Sequence, residues 1–245
     1  MKQNKYDDPS FFEQYSQMSR SKHGLDAAGE WSILKAMLPN LQDADVLDLG
    51  CGYGWHCRYA REHGAKSVIG IDISDRMLDK AKEMTKDSAI RYERVAIEDA
   101  TFDAGQFDVV LSSLALHYIE DFSSAAQKIN EFLAPNGHFV FSVEHPMFTS
   151  LPAQDWHYNT EGEKLHWPID RYHEEGLREA NFLGHEVEKY HRTLSTYVNT
   201  LIASGFEITN MSELKPTEQM LQDNPAYYEE IRRPMFLLMS AVKKS

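Results

Sequence analysis

Short hydrophobic runs alternate along the chain with segments in which hydrophobic residues recur at helical spacing. Runs bounded by glycine, proline or polar residues predict five strands, over Asp45–Leu49, Ser67–Asp72, Ile90–Val95, Phe107–Ser113 and His138–Val143. Between them the pattern predicts helices and one turn, over Tyr53–His63, Asp75–Thr85, Phe122–Leu133 and Pro135-Asn136-Gly137. This alternation of strands and helices indicates an α/β fold with a doubly wound, Rossmann-like parallel sheet.

The N-terminal part of the chain has the pattern of an amphipathic helical cap. Residues 9–38 carry hydrophobic side chains at helical spacing, and the pattern is interrupted between Ser19 and Gly24. We therefore predict that residues 1–39 form helices that cover the sheet.

The C-terminal part of the chain has the pattern of a final helix and an edge hairpin. The helix is predicted over Tyr190–Ala203, and the antiparallel strands over Phe206–Leu214 and Phe236–Val242. With the five parallel strands these make a seven-stranded sheet. The length of the chain suits a single domain spanning residues 1–245.

A long stretch without regular periodicity, residues 145–189, follows the fifth strand. It is rich in aromatic and histidine side chains, namely Trp156, His157, Tyr158, His166, Trp167, Tyr172, His173, Phe182 and His185. Irregular loops of this length are usually functional or disordered, and the aromatic content argues against disorder. We expect this insertion to form a lid over a substrate.

A glycine-rich turn follows the first strand and opens into a helix. Gly50, Gly52 and Gly54 let a ligand lie directly against the backbone, and the unpaired N–H groups of the helix point towards it. Asp72 ends the second strand 22 positions after Gly50. That spacing is close to the roughly 20 residues at which an acid reaches a ribose hydroxyl. The pattern predicts a nucleoside-containing cofactor.

The glycine pattern also separates two kinds of cofactor. A dinucleotide site requires a third glycine, and Trp55 stands at that position. The run Val46-Leu47-Asp48-Leu49-Gly50-Cys51-Gly52-Tyr53-Gly54 instead resembles the first motif of class I S-adenosylmethionine-dependent methyltransferases. The resemblance covers roughly residues 40–143, with the final helix and two strands, and it is to the small-molecule branch that includes quinone-biosynthesis enzymes. Two further runs, Tyr6–Phe12 and Glu144-His145-Pro146, are similar to N-methyltransferases of azapteridine (toxoflavin-type) biosynthesis.

The resemblance implies which residues contact S-adenosylmethionine. Asp72 would hold the ribose, Asp99 would accept a hydrogen bond from the adenine amino group, and Ile97 would lie against the base. Ser112 and Leu114 would flank the methionine part. The other cofactor contacts predicted along these motifs are Asp48, Gly50, Cys51, Gly52, Gly54, Ile73, Met77 and Glu98. Candidates to hold the cofactor's carboxylate or close the pocket are Tyr15, Arg20 and His23.

The expected reaction is methyl transfer to a nitrogen or oxygen of a small, aromatic or heteroaromatic molecule. If the acceptor must lose a proton, the candidate bases are His117, Glu144 and His145. An already acidic acceptor, such as a heteroaromatic N–H, would need little help, and the sequence does not decide between these cases. Predicted contacts to the substrate are Tyr118, Trp156, Tyr190, His191 and Arg192.

Composition narrows the partners and the compartment. The formal charge of −13 argues against a broad phosphate-binding surface, and the Asp/Asn-Pro-Pro-Tyr motif of nucleic-acid amino-methylating enzymes is missing, so no nucleic-acid substrate is expected. No apolar run approaches the roughly 18 residues of a membrane span, and the first residues lack an apolar signal core, so we expect a cytoplasmic protein without a membrane partner. Cys51 and Cys57 are predicted to be packing residues, and no metal site is predicted.

Three other functions stay open at this point: an NAD-linked oxidoreductase, an RNA methyltransferase, and a non-catalytic S-adenosylmethionine-binding partner protein. The sequence also leaves open whether the chain forms a homodimer.

Overall fold

The computed structural model describes residues 2–245, which are built around a seven-stranded sheet. The strands of the chain are β1 (Asp45–Leu49), β2 (Ser67–Asp72), β3 (Ile90–Arg94), β4 (Phe107–Ser113), β5 (Leu133–Glu144), β6 (His157–Tyr158), β7 (Lys164–His166), β8 (Gly176–Phe182), β9 (His185–His191), β10 (Phe206–Glu213) and β11 (Phe236–Lys243). The sheet order is β10-β11-β5-β4-β1-β2-β3. Strands β1 to β5 are parallel, and β11 and β10 run antiparallel at one edge. The predicted fold class is confirmed.

Helices cover both faces of this sheet. They are α1 (Pro9–Gln17), α2 (Ser19–His23), α3 (Trp31–Met37), α4 (Trp55–Glu62), α5 (Asp75–Met84), α6 (Phe122–Phe132), α7 (Pro146–Thr149), α8 (Leu194–Ala203), α9 (Glu218–Asp223) and α10 (Tyr228–Arg232). Leu47 packs with residues of α6 and α8, whereas its neighbour Val46 packs with residues of α4 and α5. This follows from the pleat of a strand, which sends successive side chains to opposite faces. Within the described part of the chain, no helix is long and apolar enough to cross a bilayer.

Strand β5 begins five residues earlier than predicted. Phe107 pairs with Leu133 and Val109 with His138, so the chain between the two pairs forms an irregularity within the strand. The predicted turn lies inside this irregularity, and Asn136 there has a φ of 64°. The predicted turn Pro135-Asn136-Gly137 is therefore a bulge within β5, because the residues on both sides of it pair with β4.

Two helix predictions were wrong in their details. Residues Ser19–His23, predicted as a break, are helical; the breaks fall instead at Met18, which is extended, and at Gly24, whose φ is 67°. The helix predicted from Tyr190 begins only at Leu194, with the Thr193 side chain as its N-cap. Helices α9 and α10, between the last two strands, were not predicted.

The insertion of residues 145–189 is more regular than the sequence indicated. It contains α7 and the hairpin of β6 with β7, and β8 of the second hairpin, whose partner β9 runs on to His191. Leu183 and Gly184 connect β8 to β9 with positive φ values of 53° and 72°. This is the two-residue turn that fits the right-handed twist of a hairpin.

Candidate active site

A cavity of about 680 Å³ lies at the carboxyl ends of the parallel strands, where open α/β sheets bind their ligands. The N-terminal segment and the β8–β9 hairpin contribute to its walls. Its lining includes the following residues predicted for cofactor, base or substrate: Tyr15, Arg20, Gly50, Gly52, Asp72, Ile73, Met77, Ile97, Glu98, Leu114, His117, Tyr118, Glu144 and Tyr190. The volume falls in the range of about 300–1,000 Å³ that is typical of small-molecule sites.

The glycine turn shapes one end of the cavity. Gly50 has a φ of 73°, and a Cβ built on it would overlap with the Cβ of Ala115. Gly54 likewise has no room for a side chain, because Tyr92 fills that space. Gly50 and Gly52 line the cavity, whereas Cys51 is buried behind it and Gly54 lies outside the lining. The turn therefore presents bare backbone to a ligand.

Asp72 brings a carboxylate into the same end of the cavity. Its Oδ2 accepts a hydrogen bond from the Gly52 N–H and its Oδ1 from the Ser74 N–H, both at 2.9 Å. Burial raises the pKa of Asp72 to about 6, although these backbone hydrogen bonds act in the opposite direction. Each oxygen keeps a further lone pair, so the group can accept hydrogen bonds from two neighbouring hydroxyls.

Asp48 lies in β1 just before the glycine turn and does not line the cavity. It is buried in β1, and its Oδ2 accepts a hydrogen bond from the Cys57 thiol at 3.2 Å. Oδ1 has no hydrogen-bond partner among the described residues. Burial raises the pKa of Asp48 to about 7. Asp48 is therefore buried near the glycine turn, and its side chain does not reach the cavity.

Arg20 places a positive charge in the cavity. Its Nη2 donates to both oxygens of the buried Glu30, at 2.6 and 2.7 Å. Burial acts to lower the pKa of Arg20, but the Glu30 carboxylate more than offsets it and the pKa is raised. The guanidinium of Arg20 is thus held through its Nη2 atom, and Arg20 lines the cavity together with Tyr15. His23 is exposed and lies outside the cavity lining.

Two residues predicted to contact the cofactor, Asp99 and Ser112, lie outside the cavity lining. Ile97 and Glu98 line the cavity, whereas Asp99 lies outside the lining and pairs with Lys2 at 2.6 Å. Ser112 is buried and donates to the Leu49 carbonyl, and Ser113 lines the cavity in its place. The neighbouring Leu114, with a φ of 54°, lines the cavity as predicted.

A largely buried polar cluster borders the cavity at the end of β5. Lys189 Nζ donates to Glu144 Oε1 at 2.6 Å and to Gln154 Oε1 at 3.0 Å, and Gln154 Nε2 donates to Glu144 Oε2 at 3.0 Å. Burial acts to raise the pKa of Glu144, but the interaction with His117, the positive charge of Lys189 and these hydrogen bonds lower it overall. Lys189 and Gln154 were not predicted from sequence; they stand 45 and 10 positions from Glu144 along the chain.

His117 lies against this cluster and is uncharged near neutral pH. Burial lowers its pKa to about 4. Its Nδ1 accepts a long hydrogen bond, 3.4 Å, from the Glu144 N–H. A neutral imidazole whose Nδ1 accepts carries its proton on Nε2. His117 can therefore donate a hydrogen bond from Nε2 but cannot take up a proton there.

Four predicted acceptor-side residues lie outside the cavity lining. His145 Nε2 bonds Glu213 and its Nδ1 accepts from the Met147 N–H, while His191 bonds Thr149 and the Tyr172 carbonyl. Trp156 donates to Glu229, and Arg192 donates to the carbonyls of Ile119 and Glu120. These contacts hold the insertion and the start of α8 in place, so each side chain has a structural partner.

Seven aromatic side chains line the cavity. They come from the N-terminal segment, the strand ends and the insertion, as Tyr6, Tyr15, Tyr118, Phe148, Phe182, Tyr190 and Phe236. The Tyr6 ring meets Tyr15 and Tyr118 edge to face, with centroids 5.1 and 6.5 Å apart. Several of these rings could not be assigned from sequence, because they approach from segments far apart in the chain.

Comparison with known proteins agrees with this geometry. The family described as "Methyltransferase domain" matches residues 47–141, which run from within β1, through the glycine turn, to within β5. A protein of known structure from Listeria monocytogenes is 51% identical, over 89% of this chain and all of its own, with a TM-score of 0.84. The S-adenosylmethionine-dependent methyltransferase from Mesorhizobium loti is 45% identical over 90% of this chain and all of its own, with a TM-score of 0.85.

A third solved structure shares the fold alone. It is the 1,6-didemethyltoxoflavin-N1-methyltransferase of Burkholderia thailandensis, 17% identical over 96% of this chain and 87% of its own, with a TM-score of 0.60.

The bare glycine turn, the Asp72 carboxylate and the Arg20 charge fit S-adenosylmethionine as the cofactor, and the predicted family is confirmed. The chain belongs to the S-adenosylmethionine-dependent methyltransferases.

Proposed function

We propose that this methyltransferase acts on a nitrogen or oxygen atom of a small aromatic or heteroaromatic molecule. The observation that carries the proposal is that seven aromatic rings and the polar cluster of Glu144, Gln154 and Lys189 line the same cavity. Flat rings favour edge-to-face and stacked neighbours, and a few placed polar groups then fix the orientation of the ligand.

The cofactor would occupy the glycine-turn end of the cavity. Asp72 would accept hydrogen bonds from the ribose hydroxyls, and such bonds to a charged acceptor are strong and geometrically selective. Arg20 would pair with the carboxylate of the methionine part, and Ile97 would lie against the base. When bound, S-adenosylmethionine supplies a methyl group already activated on a sulfonium.

The protein's own contribution to the reaction is then mainly positioning. Glu144 is a weak base because Lys189 stabilises its charged form, and His117 carries its proton on the nitrogen that is free to act. We therefore propose an acceptor that loses its proton readily or reacts through a lone pair. Holding two reactants in line can contribute on the order of 7–11 kcal/mol.

Two segments would keep water out during transfer. The Glu188 N–H donates to Gln3 Oε1 at 3.1 Å, and Ser10 Oγ lies 3.2 Å from His185 Nε2. Phe11 meets Phe182 with ring centroids 5.9 Å apart. The N-terminal segment and the β8–β9 hairpin are thus joined over the cavity, and we propose that together they are the lid.

RNA is a less favoured acceptor. The formal charge of −13 opposes approach of a phosphate backbone, and two segments that bond each other contribute to the walls of the cavity and restrict access to it. A small molecule can be enclosed in this way more readily than a nucleotide within a chain.

Radiolabelled methyl transfer tests the proposal. Purified protein would be incubated with S-adenosylmethionine carrying a tritiated methyl group and with phenols, catechols, anilines, ring N–H heterocycles, aliphatic amines, carboxylic acids and transfer RNA. We expect labelled product from at least one aromatic or heteroaromatic acceptor, identified by mass spectrometry. Transfer confined to aliphatic acceptors or to RNA would overturn the proposal.

A further inference from the structure

Glu144, Gln154 and Lys189 form a closed ring of hydrogen bonds, called here the acceptor triangle. Each of the three side chains bonds the other two, at distances between 2.6 and 3.0 Å. Glu144 ends β5 of the sheet, Gln154 follows α7, and Lys189 lies on β9 of the hairpin. All three line the cavity.

The triangle is buried at some energetic cost. Lys189 is 1% exposed, and taking an ion pair out of water costs several kcal/mol per ion before their attraction is counted. Apolar residues of similar size would often stabilise a fold as well or better. Because this ion pair borders a ligand cavity, a role in ligand binding explains its presence better than a contribution to the stability of the fold.

Hydrogen-bonding capacity remains after the triangle is closed. An ammonium group has three N–H donors, and Lys189 directs two of them to described acceptors. The Glu144 carboxylate, with about four acceptor positions, receives two side-chain hydrogen bonds. The triangle can thus both donate to and accept from a molecule that enters the cavity.

The charges of the triangle cancel. Glu144 is negative and Lys189 positive, and the adjacent His117 is uncharged. The other carboxylates of the lining on this side, on Glu120 and Glu188, belong to solvent-exposed residues. A carboxylate acceptor would meet a lysine already neutralised by Glu144, and an ammonium acceptor would meet a glutamate already neutralised by Lys189. A neutral group with a donor next to an acceptor matches both partners at once.

Resting on the proposed function, we infer that the acceptor triangle recognises the neutral amide-like edge of a ring, in which an N–H stands next to a C=O. Glu144 accepts from the ring N–H, and Lys189 donates to the ring carbonyl, with the amide of Gln154 beside both. The substrate class is therefore a lactam-type heterocycle, and the triangle discriminates against carboxylic acids and against rings that lack the edge.

Three matched probes test this on the protein loaded with S-adenosylhomocysteine. Calorimetric titration would compare 2-quinolinone, which carries the edge, with quinoline, which lacks it, and with quinoline-2-carboxylate, which is an anion of similar shape. We expect 2-quinolinone to bind at least 10-fold more tightly than either of the others. Equal binding of the three, or a preference for the carboxylate, would overturn the inference.

Single charge changes in the triangle separate recognition from a structural role. Lys189→Met should remove the preference for 2-quinolinone and weaken the carboxylate further. Glu144→Gln exposes the lysine charge and should raise affinity for the carboxylate by about 10-fold. Lys164→Met, which breaks the ion pair of Lys164 with Glu229 outside the cavity lining, should change neither preference. Unchanged selectivity in both triangle variants, with S-adenosylhomocysteine binding intact, would refute the assignment.

The inference can fail while the proposed function holds. Methylation of a phenol or catechol, together with no preference among the three probes, would keep the aromatic acceptor and dispose of the triangle's role. Failure to bind any of the rings and to methylate any aromatic compound would count against both.

Discussion

Gly50 and Ala115 pack against each other at the cofactor end of the cavity, with no space between them for a side chain on Gly50. The φ of Gly50 is 73°, a conformation that residues with a Cβ rarely adopt, and a Cβ there would overlap with that of Ala115. Both residues line the cavity. The glycine turn can therefore contact the end of β4 because Gly50 has no Cβ.

Gly50→Ala should destabilise the protein and weaken cofactor binding. The left-handed conformation costs an alanine about 1–2 kcal/mol and overpacking costs about 1–3 kcal/mol, so we expect a loss of about 2–5 kcal/mol in the free energy of unfolding. Urea unfolding and calorimetric titration with S-adenosylmethionine would measure both effects. Gly105→Ala is the matched control, because its φ of 70° is similar and its Cβ would meet nothing closer than 3.8 Å. Equal effects of the two changes would show that the contact with Ala115 does not matter.

Asp72→Ala should weaken S-adenosylmethionine binding by about 10–100-fold. Hydrogen bonds to a charged group are worth about 1.5–3 kcal/mol, and this carboxylate is the acid placed beside Gly52 in the cavity. Because the pKa of Asp72 is about 6, the wild-type affinity should also fall as the pH drops from 7 to 5. Titrations at the two pH values would test this, with Asp75→Ala as an exposed control on the following helix. An Asp72→Ala protein that binds as tightly as wild type would rule out the ribose contact.

The cofactor end of the site was predictable because its signals are local. A strand, a glycine turn and an acid at the end of the next strand lie within residues 45–72, and their spacing follows from the geometry of one βαβ unit. Asp99 and Ser112 show the limit of this approach. Asp99 lies at the end of a short 3-10 helix after β3, and Ser112 lies within β4. Whether each side chain faces the cavity depends on packing that the local sequence pattern does not reveal.

The acceptor end was less predictable because the β8–β9 hairpin lacks the alternation of hydrophobic and polar residues that is typical of strands. In β8 and β9 the inward positions include charged residues such as Arg178 and Lys189, while Leu177 faces solvent. The hydrophobic alternation that identifies a strand is therefore lost. The two-residue link of Leu183 and Gly184 between equal segments was the signal available for a hairpin. Its contact with Glu144 depends on tertiary packing.

Asp48→Asn should reduce the pH dependence of stability in the ligand-free protein. The folded-state pKa of about 7 lies above the ordinary value of 3.8, so the folded protein holds a proton that the unfolded chain releases. Stability is therefore lost as the pH rises from about 4 to 7 and is level above that. Since each pH unit in this window is worth about 1.4 kcal/mol, the effect of the substitution should become more favourable by about 4 kcal/mol between pH 4 and pH 8.

Urea unfolding of both proteins at the two pH values gives this difference directly. Asp72, whose pKa is also raised, is present in both proteins, and its charge also acts to raise the pKa of Asp48, so their interaction is part of the measured difference. The same difference between variant and wild type at pH 4 and pH 8 would mean that Asp48 is ionised in the folded protein at both.

Asp7 fastens the N-terminal segment to the cofactor-binding part of the fold. Its Oδ1 accepts hydrogen bonds from the Ser74 hydroxyl at 2.6 Å and from the Arg76 N–H at 3.1 Å, and its Oδ2 accepts from Asn4 at 2.7 Å. Burial acts to raise the pKa of Asp7, but these hydrogen bonds lower it overall, so the group is charged at neutral pH. Since Tyr6 and Tyr15 of this segment line the cavity, the tether controls how well the cavity is covered.

Asp7→Ala should therefore let bound S-adenosylhomocysteine leave faster while the rest of the fold persists. We expect a dissociation rate about 10-fold higher, because hydrogen bonds to a charged group are worth about 1.5–3 kcal/mol, and these are only partly buried and act only in part on the opening of the segment. Stopped-flow displacement would measure the rate, and limited proteolysis would report cleavage within residues 2–20. Asp79→Ala, an exposed acid on α5, is the control for charge alone. If proteolysis accelerates but dissociation does not, the N-terminal segment opens without releasing the cofactor, and the ligand is retained by the glycine turn and Asp72.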